Sequence, residues 1–376
     1  MTKKLLLTFA FLFIPHLIFS DDLQEIIVLE KKITSLDGWT DNQSISSLNK
    51  EELEELDAQH PKQIFRRLPG VWISRGSGQE HLTAIRSPVL TGPGACGSFL
   101  VLEDGLPVRP TGFCNVNGLF ETFFEMASGV ETINGPASAR YGANAMHGVI
   151  NVLSTPISSN NKIYANIGPN NYKNFKIRGG NQSDWSFDGF FANNDGFRDQ
   201  SGYDQQKVKI NSNLSIASWE GTLSATLTNL NQETAGYING LDSYKDENLS
   251  KRNFNPDAYR DANSQRLSLR LMKEDSNTLN SITSYIRNND MKFFQHFLPG
   301  TPLEENNHTS FGIVVQSINN YKNFNLVRGF QLDIAQVELT ETQKNELTTS
   351  SAFNNATRPK GKHYDYEVDS IVYAFF

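Results

Sequence analysis

The chain has 376 residues, 38% of them hydrophobic and 20% charged, with 34 Lys and Arg against 41 Asp and Glu. That apolar content, with 25 Phe, excludes a mainly disordered polypeptide, and a net charge of -7 argues against a nucleic-acid partner, which needs a basic footprint. Beyond the extreme N-terminus no apolar run reaches the roughly 18 to 20 residues of a membrane-spanning helix; membrane β-strands are not excluded by this.

Residues 1–20 read as a secretory signal peptide. Lys3 and Lys4 precede the apolar run Leu5 to Ile14, and the small Ser20 stands just before Asp21. The only two cysteines, Cys96 and Cys114, are 18 residues apart and can either pair in an oxidising compartment or remain two buried thiols. A disulfide closing that loop would stabilise by about 3 kcal/mol. No His cluster and no CxxC spacing accompanies them, so no metal site is expected.

Residues 21–60 are polar and acidic except for Glu25, Ile26, Ile27, Val28 and Leu29. This knot is either the first strand of a domain or an exposed peptide that joins a partner's sheet edge. In Asn49 to Leu56, an Asn cap, an acidic first turn and the Leu53/Leu56 spacing predict a short helix.

From 61 to 158 the texture is that of a small α+β domain. Apolar runs at 71–74 and 99–108 are broken by Gly and Pro, and Asp104-Gly105 predicts a hairpin. A helix is expected over Asn117 to Ser128, with Leu119, Phe123 and Met126 on one side.

Beyond 159 apolar and polar residues alternate. Leu267, Leu269 and Leu271 oppose Arg266, Ser268 and Arg270, and Trp219, Leu223, Ala225 and Leu227 oppose Thr222, Ser224, Thr226 and Thr228. Strands are expected near 162–168, 173–180, 184–192, 205–215, 219–230, 263–272, 277–288, 309–318, 325–335 and 366–376. Short gaps at 181–183, 216–218, 273–276 and 319–324 alternate with long ones at 193–204, 231–262, 289–308 and 336–365. An antiparallel up-and-down transmembrane barrel has this regularity, and a soluble barrel or lectin-like sandwich is the competing architecture. The expected class is therefore mainly β: an α+β domain, then barrel strands over 159–376.

Four segments resemble, in order, the plug domain of TonB-dependent outer-membrane receptors: IFRRLPGVWISR (64–75), LTAIRS (82–87), FLVLEDGLPV (99–108) and VETINGPASARYGANAMHGVINV (130–152). Ser87 stands where Gly is usual, and Asn134 where Arg is. The resemblance implies several roles. Residues 25–29 would be the TonB box, gripped by the periplasmic TonB protein and its inner-membrane energising complex. Residues 61–158 would be the plug, with Arg86, Glu131 and Arg140 as charged contacts to the barrel. Arg109, Phe113, Asn115 and Asn117 would lie on apical loops facing the substrate, with Cys96 and Cys114 joining two apices; the alternative is that Phe113 packs in the plug core and Arg109 pairs with a barrel carboxylate.

The implied function is TonB-dependent uptake, with no cofactor, of a ferric siderophore or other iron complex across the lipid of a bacterial outer membrane. Cobalamin, haem or an oligosaccharide is the alternative cargo, and a ligand-sensing receptor the alternative role. The N-terminal segment would lie in the periplasm. No catalytic residues are indicated, since the seven His are scattered and no nucleophile motif is present. About ten strands stand against a family barrel of about 22, so the chain is expected to be part of a longer one.

Overall fold

The structure, a computed structural model, describes residues 44–88, 98–114, 117–142, 144–158, 160–181 and 183–376, without the Arg140 side chain. The signal peptide and the apolar pentapeptide expected at 25–29 lie outside the described residues.

The first part is a small α+β domain. In order it comprises β1 (Ile45–Asn49), α1 (Lys50–Leu56), α2 (Pro61–Phe65), β2 (Val71–Arg75), β3 (His81–Ile85), β4 (Phe99–Glu103), β5 (Leu106–Pro107), β6 (Gly129–Asn134), α3 (Ser138–Tyr141) and β7 (Gly148–Leu153). Its main sheet runs β1-β6-β7-β4-β5, with β2 and β3 as a separate pair. Because β1 pairs with β6 from Ile45↔Ile133 to Asn49↔Gly129, the domain begins before the expected boundary at 61. Residues 44–60 are part of it, and Leu53 and Ala58 join its core.

Local chemistry explains the elements. Asn49 caps α1 through a full capping box, accepting from Glu52 N at 3.0 Å while Glu52 accepts from Asn49 N at 2.8 Å. Asp104 and Gly105 turn the β4–β5 hairpin with φ of 53° and 80°, the left-handed pair that a two-residue turn needs and that Gly takes without strain. The helix expected over 117–128 is instead two 3-10 turns, Gly118–Glu121 and Phe124–Met126. Thr122 between them is extended, with ψ 155°. The break lets Leu119 and Phe124 enter the core with Phe65, Phe99 and Ile150, while Phe123 and Met126 pack with Tyr172 and Phe190 of the second part.

The second part is one antiparallel sheet of ten strands in sequence order. They are β8 (Lys162–Gly168), β9 (Tyr172–Gly180), β10 (Trp185–Asn194), β11 (Tyr203–Ile216), β12 (Trp219–Glu233), β13 (Tyr259–Asp275), β14 (Thr278–Phe294), β15 (Leu303–Tyr321), β16 (Phe324–Gln343) and β17 (Gly361–Phe375). Two short helices, α4 (Glu247–Lys251) and α5 (Ala352–Thr357), sit in the longest connections. All ten expected strands are present, and the up-and-down order is as the gap lengths implied. The sheet is a curved, unclosed wall with β8 and β17 as its edges.

One rim carries the connections 195–202, 234–258, 295–302 and 344–360, together with the short turn 169–171; the other carries 181–184, 217–218, 276–277 and 322–323. The outward face is apolar, with Leu227, Ile286 and Ile371 50, 51 and 68% exposed. The inward face is polar and buried against the small domain, with Lys207, Arg270 and Arg287 at 0, 8 and 1%. That inversion fits a wall with lipid outside. Among the described residues no helix is long and apolar enough to cross a membrane.

Candidate functional site

The inward alternation of the wall places a row of cations where the small domain presents carboxylates. Lys207 and Lys209 are two apart on β11, so both point inward. Lys207 Nζ lies 2.8 Å from Glu125 Oε1 and donates to the Thr122 carbonyl at 2.6 Å. Lys209 Nζ lies 2.7 Å from Glu103 Oε1 and 2.9 Å from Asp104 Oδ2. From β13, Arg266 reaches Glu103 Oε2 at 2.6 Å and Arg270 donates to the Asp104 carbonyl at 2.7 Å. The hairpin turn is thus held by three wall cations.

Further contacts complete the seat. Lys176 of β9 pairs with Asp57 at 2.6 Å and Arg260 of β13 with Glu80 at 3.3 Å. Arg287 of β14 donates to the carbonyls of Pro107 and Arg109 and pairs with Asp333 at 2.5 Å. Ser77, in the β2–β3 turn, bonds Ala235 beside the long loops. An apolar patch of Phe120 and Phe123 against Tyr172, Phe190 and Leu230 lies among these charges.

The electrostatics follow from burial and pairing. Burial alone would push the Glu103 carboxyl up, yet the cations of Arg266 and Lys209 outweigh it and hold the group below the usual carboxylate range. His60 and His81 stand edge to face at 5.9 Å. Burial is the main cause that drives His60 down to about 3 and His81 to about 4. Both are therefore neutral: His60 Nδ1 accepts from Lys62 N at 3.1 Å, and His81 Nδ1 donates to the Gln79 carbonyl at 2.9 Å.

The residues singled out from sequence fall elsewhere. Arg109 is 3% exposed. Its Nε donates to Glu121 at 2.9 Å and a second guanidinium nitrogen to the Cys114 carbonyl, so the cation is committed inside the domain rather than presented to a ligand. Glu121 also receives Asn289 of β14 at 3.0 Å. Phe113 is half-buried, with its ring edge-on to His308 at 5.0 Å. Asn117 accepts from the His81 backbone N–H at 3.0 Å, a structural bond. Asn115 and Cys96 lie outside the described residues, so the pairing of Cys96 with Cys114 remains a proposal.

Of the expected contacts to the wall, Arg86 proves to be a contact within the small domain. The chain leaves β3 with a left-handed φ of 46°, the guanidinium lies over Gly70, and Nη2 donates to Ser44 Oγ at 3.0 Å. Glu131, 3% exposed, accepts from Asn151 on the adjacent β7 at 3.4 Å. Arg140's side chain lies outside the described set. Among the carboxylates that do reach the wall, Glu103, Asp104 and Glu125 had as their only sequence signal the inward cations spaced two apart on β11 and their own place beside the hairpin and the Phe-rich turn.

A cavity of about 30 Å³ lined by Glu103, Asp104, Lys209, Arg266, Tyr285 and Arg287 has room for about one water molecule. Large exposed aromatics gather instead on the long connections: Tyr237, Tyr244, Phe254, Phe297 and Phe353. The arrangement sets a rim of exposed aromatic side chains beside a polar, charge-locked seat, and no grouping of three or more His, Cys, Asp or Glu among the described residues could hold a metal.

Residues 40–149 match the model of the TonB-dependent receptor plug domain. Among solved structures, the ferric citrate transporter FecA in its unliganded form matches 88% of this chain and 52% of its own, at 14% identity and a TM-score of 0.67. The ferric yersiniabactin uptake receptor FyuA from Yersinia pestis matches 80% and 50%, at 16% identity and 0.62. The copper transporter OprC matches 80% and 47%, at 14% identity and 0.60. The chain spans about half the length of these structures, and at these identities the likeness is one of fold.

Proposed function

Because this chain belongs to the TonB-dependent receptors, which are not enzymes, we propose that it serves energy-coupled uptake of a scarce nutrient across a bacterial outer membrane. The cargo is first a ferric siderophore or another iron complex, in keeping with FecA and FyuA; OprC, a copper transporter, is a neighbour with a different cargo. Periplasmic TonB and its inner-membrane complex are the proposed partners, engaging Glu25 to Leu29. The long-loop rim is the proposed substrate side, with Cys96 and Cys114 bridging two plug apices beneath it.

The observation that carries this reading is the chemistry of the seat. Apart from the Phe120–Phe123 patch, the plug is held by buried ion pairs and hydrogen bonds. Entering water can solvate both halves of such a contact when the plug moves, whereas an apolar seal would resist at about 25 cal/mol for every Å² exposed. A seat of this kind suits a plug that is displaced by pulling from its N-terminal side and then returns.

The test is uptake of a radiolabelled ferric siderophore by cells that carry the receptor in its outer membrane, with and without Glu25 to Leu29. Deletion should abolish uptake and leave surface binding intact. Equal uptake by the two strains would overturn the proposal.

A further inference from the structure

The turn between β2 and β3 holds the root of the long connection 234–258. Ser77 Oγ bridges both main-chain groups of Ala235, accepting from its N–H at 2.9 Å and donating to its carbonyl at 3.3 Å. Two residues on, the Gln79 N–H donates to Gln232 Oε1 at 2.8 Å. Gly78 between them takes φ 53°, and a Cβ there would stand 2.5 Å from Gln232 Oε1, so the turn can lie this close to the wall only because the position is Gly. The turn is also closed on itself, the Gly76 N–H donating to the Glu80 carbonyl at 2.8 Å and the Glu80 N–H to the Ser77 carbonyl at 2.9 Å. It can therefore act as a unit.

What it holds is more than one connection. Arg198 of 195–202 donates to the carbonyl of Gly236 and, through two nitrogens, to that of Arg252. The Asp199 N–H donates to the Lys251 carbonyl at 2.8 Å, and Asn253 Nδ2 to the carbonyls of Gln200 at 2.8 Å and Thr234 at 3.4 Å. Connections 195–202 and 234–258 are thus one lobe, with Ala235 and Gly236 at its base. Connection 344–360 is held differently, by Gln343 and Glu341 of β16 through Arg358, and among the described residues it has no hydrogen bond to the small domain.

We propose that Ser77 is a positioning residue through which the plug turn latches this lobe, so that withdrawing the turn frees 195–202 and 234–258 together. Without the hydroxyl, the N–H and carbonyl of Ala235 lose their partner, and Arg198 carries the loosening from Gly236 into 195–202. Such coupling is reciprocal, so a lobe drawn out of place also weakens the hold on the turn. One consequence rests on the reading of the long-loop rim as the substrate side. The movement that opens a path beside the plug would then loosen the hold of Tyr237, Tyr244 and Phe254 on the cargo, making opening and release one event.

Hydrogen–deuterium exchange of the purified receptor in detergent, read by mass spectrometry, tests the latch with no cargo present. In Ser77→Ala the amides of 234–237 and of 195–202 should exchange about tenfold faster, as the loss of two hydrogen bonds predicts, while 344–360 is unchanged. Ser77→Thr, which keeps the hydroxyl, should restore the slow exchange. Gly78→Ala, which pushes the turn off Gln232, should reproduce the Ser77→Ala pattern. A rise confined to 234–237, an equal rise in 344–360, or unchanged exchange in both Ser77→Ala and Gly78→Ala would each overturn the proposal. Uptake does not enter this measurement, so failure of the latch and failure of the transport reading are separate results.

Discussion

Lys207 Nζ lies 2.8 and 2.9 Å from the two carboxylate oxygens of Glu125, with both side chains fully buried and the ammonium 4.6 Å above the Phe124 ring. One charge comes from the wall and the other from the plug, so this pair joins the two parts where water does not reach. Removing one partner strands the other charge. Lys207→Met should therefore destabilise the protein by about 3–5 kcal/mol, and the double change with Glu125→Gln should recover most of the loss. Denaturant unfolding of the four proteins of the cycle measures it, and additive losses would refute the coupling.

Acid should loosen the plug in two stages. His60 and His81 are held neutral, at about 3 and 4 against an ordinary 6.5. As pH falls below 6.5 the unfolded chain takes up protons that the folded chain refuses, so stability declines by up to about 1.4 kcal/mol per pH unit for each His until the folded value is reached. Glu103, held below its ordinary value by Arg266 and Lys209, stabilises above the usual carboxylate range and loses that contribution as pH falls through it. Melting temperature against pH should slope down from 6.5. His81→Gln should flatten the upper part of the slope, and an unchanged slope would contradict the assignment.

At the β4–β5 turn, Gly105 holds φ 80°, a conformation that costs an L-residue about 1–2 kcal/mol. Gly105→Ala should lower stability by that amount, and by more if the turn shifts and weakens the contacts of Lys209 and Arg270 with Asp104. Thermal unfolding of the variant, compared with Gly112→Ala, an exposed glycine with a similar φ of 84° and no neighbour within 4 Å of an added Cβ, separates the two contributions.

On the outward face of β12, Leu227 is 50% exposed, on the side read as facing lipid. Leu227→Arg should cost about 2–4 kcal/mol if the residue lies near the middle of the bilayer. Urea titration of the receptor in liposomes checks this, and a neutral effect would mean that the face looks into water.

The ten wall strands were legible because one physical constraint, an apolar outward face and polar packing on the other, writes a period of two into every strand. Their outer ends were not. β15 starts at Leu303 rather than near 309 because the residues Glu304 to His308 are polar on both faces. β1, Ile-Ser-Ser-Leu-Asn, carries too little apolar pattern to announce a strand; its partner β6, 84 residues further on, creates it. The same holds for the site. Lys207 and Glu125 are 82 positions apart, and only the fold brings them together, while Arg109, expected either to face a ligand or to pair with a wall carboxylate, is instead bound to Glu121 of its own domain, 12 positions away.

The inverted polarity of the wall also bears on how the protein is made. A surface with Leu227, Ile286, Phe311, Ile334 and Ile371 turned outward would be a broad adhesive sheet in water, and half-paired strands present edges that recruit other chains. Such a sheet cannot be left bare in water, so pairing of its strands and covering of its outward face have to be closely coupled.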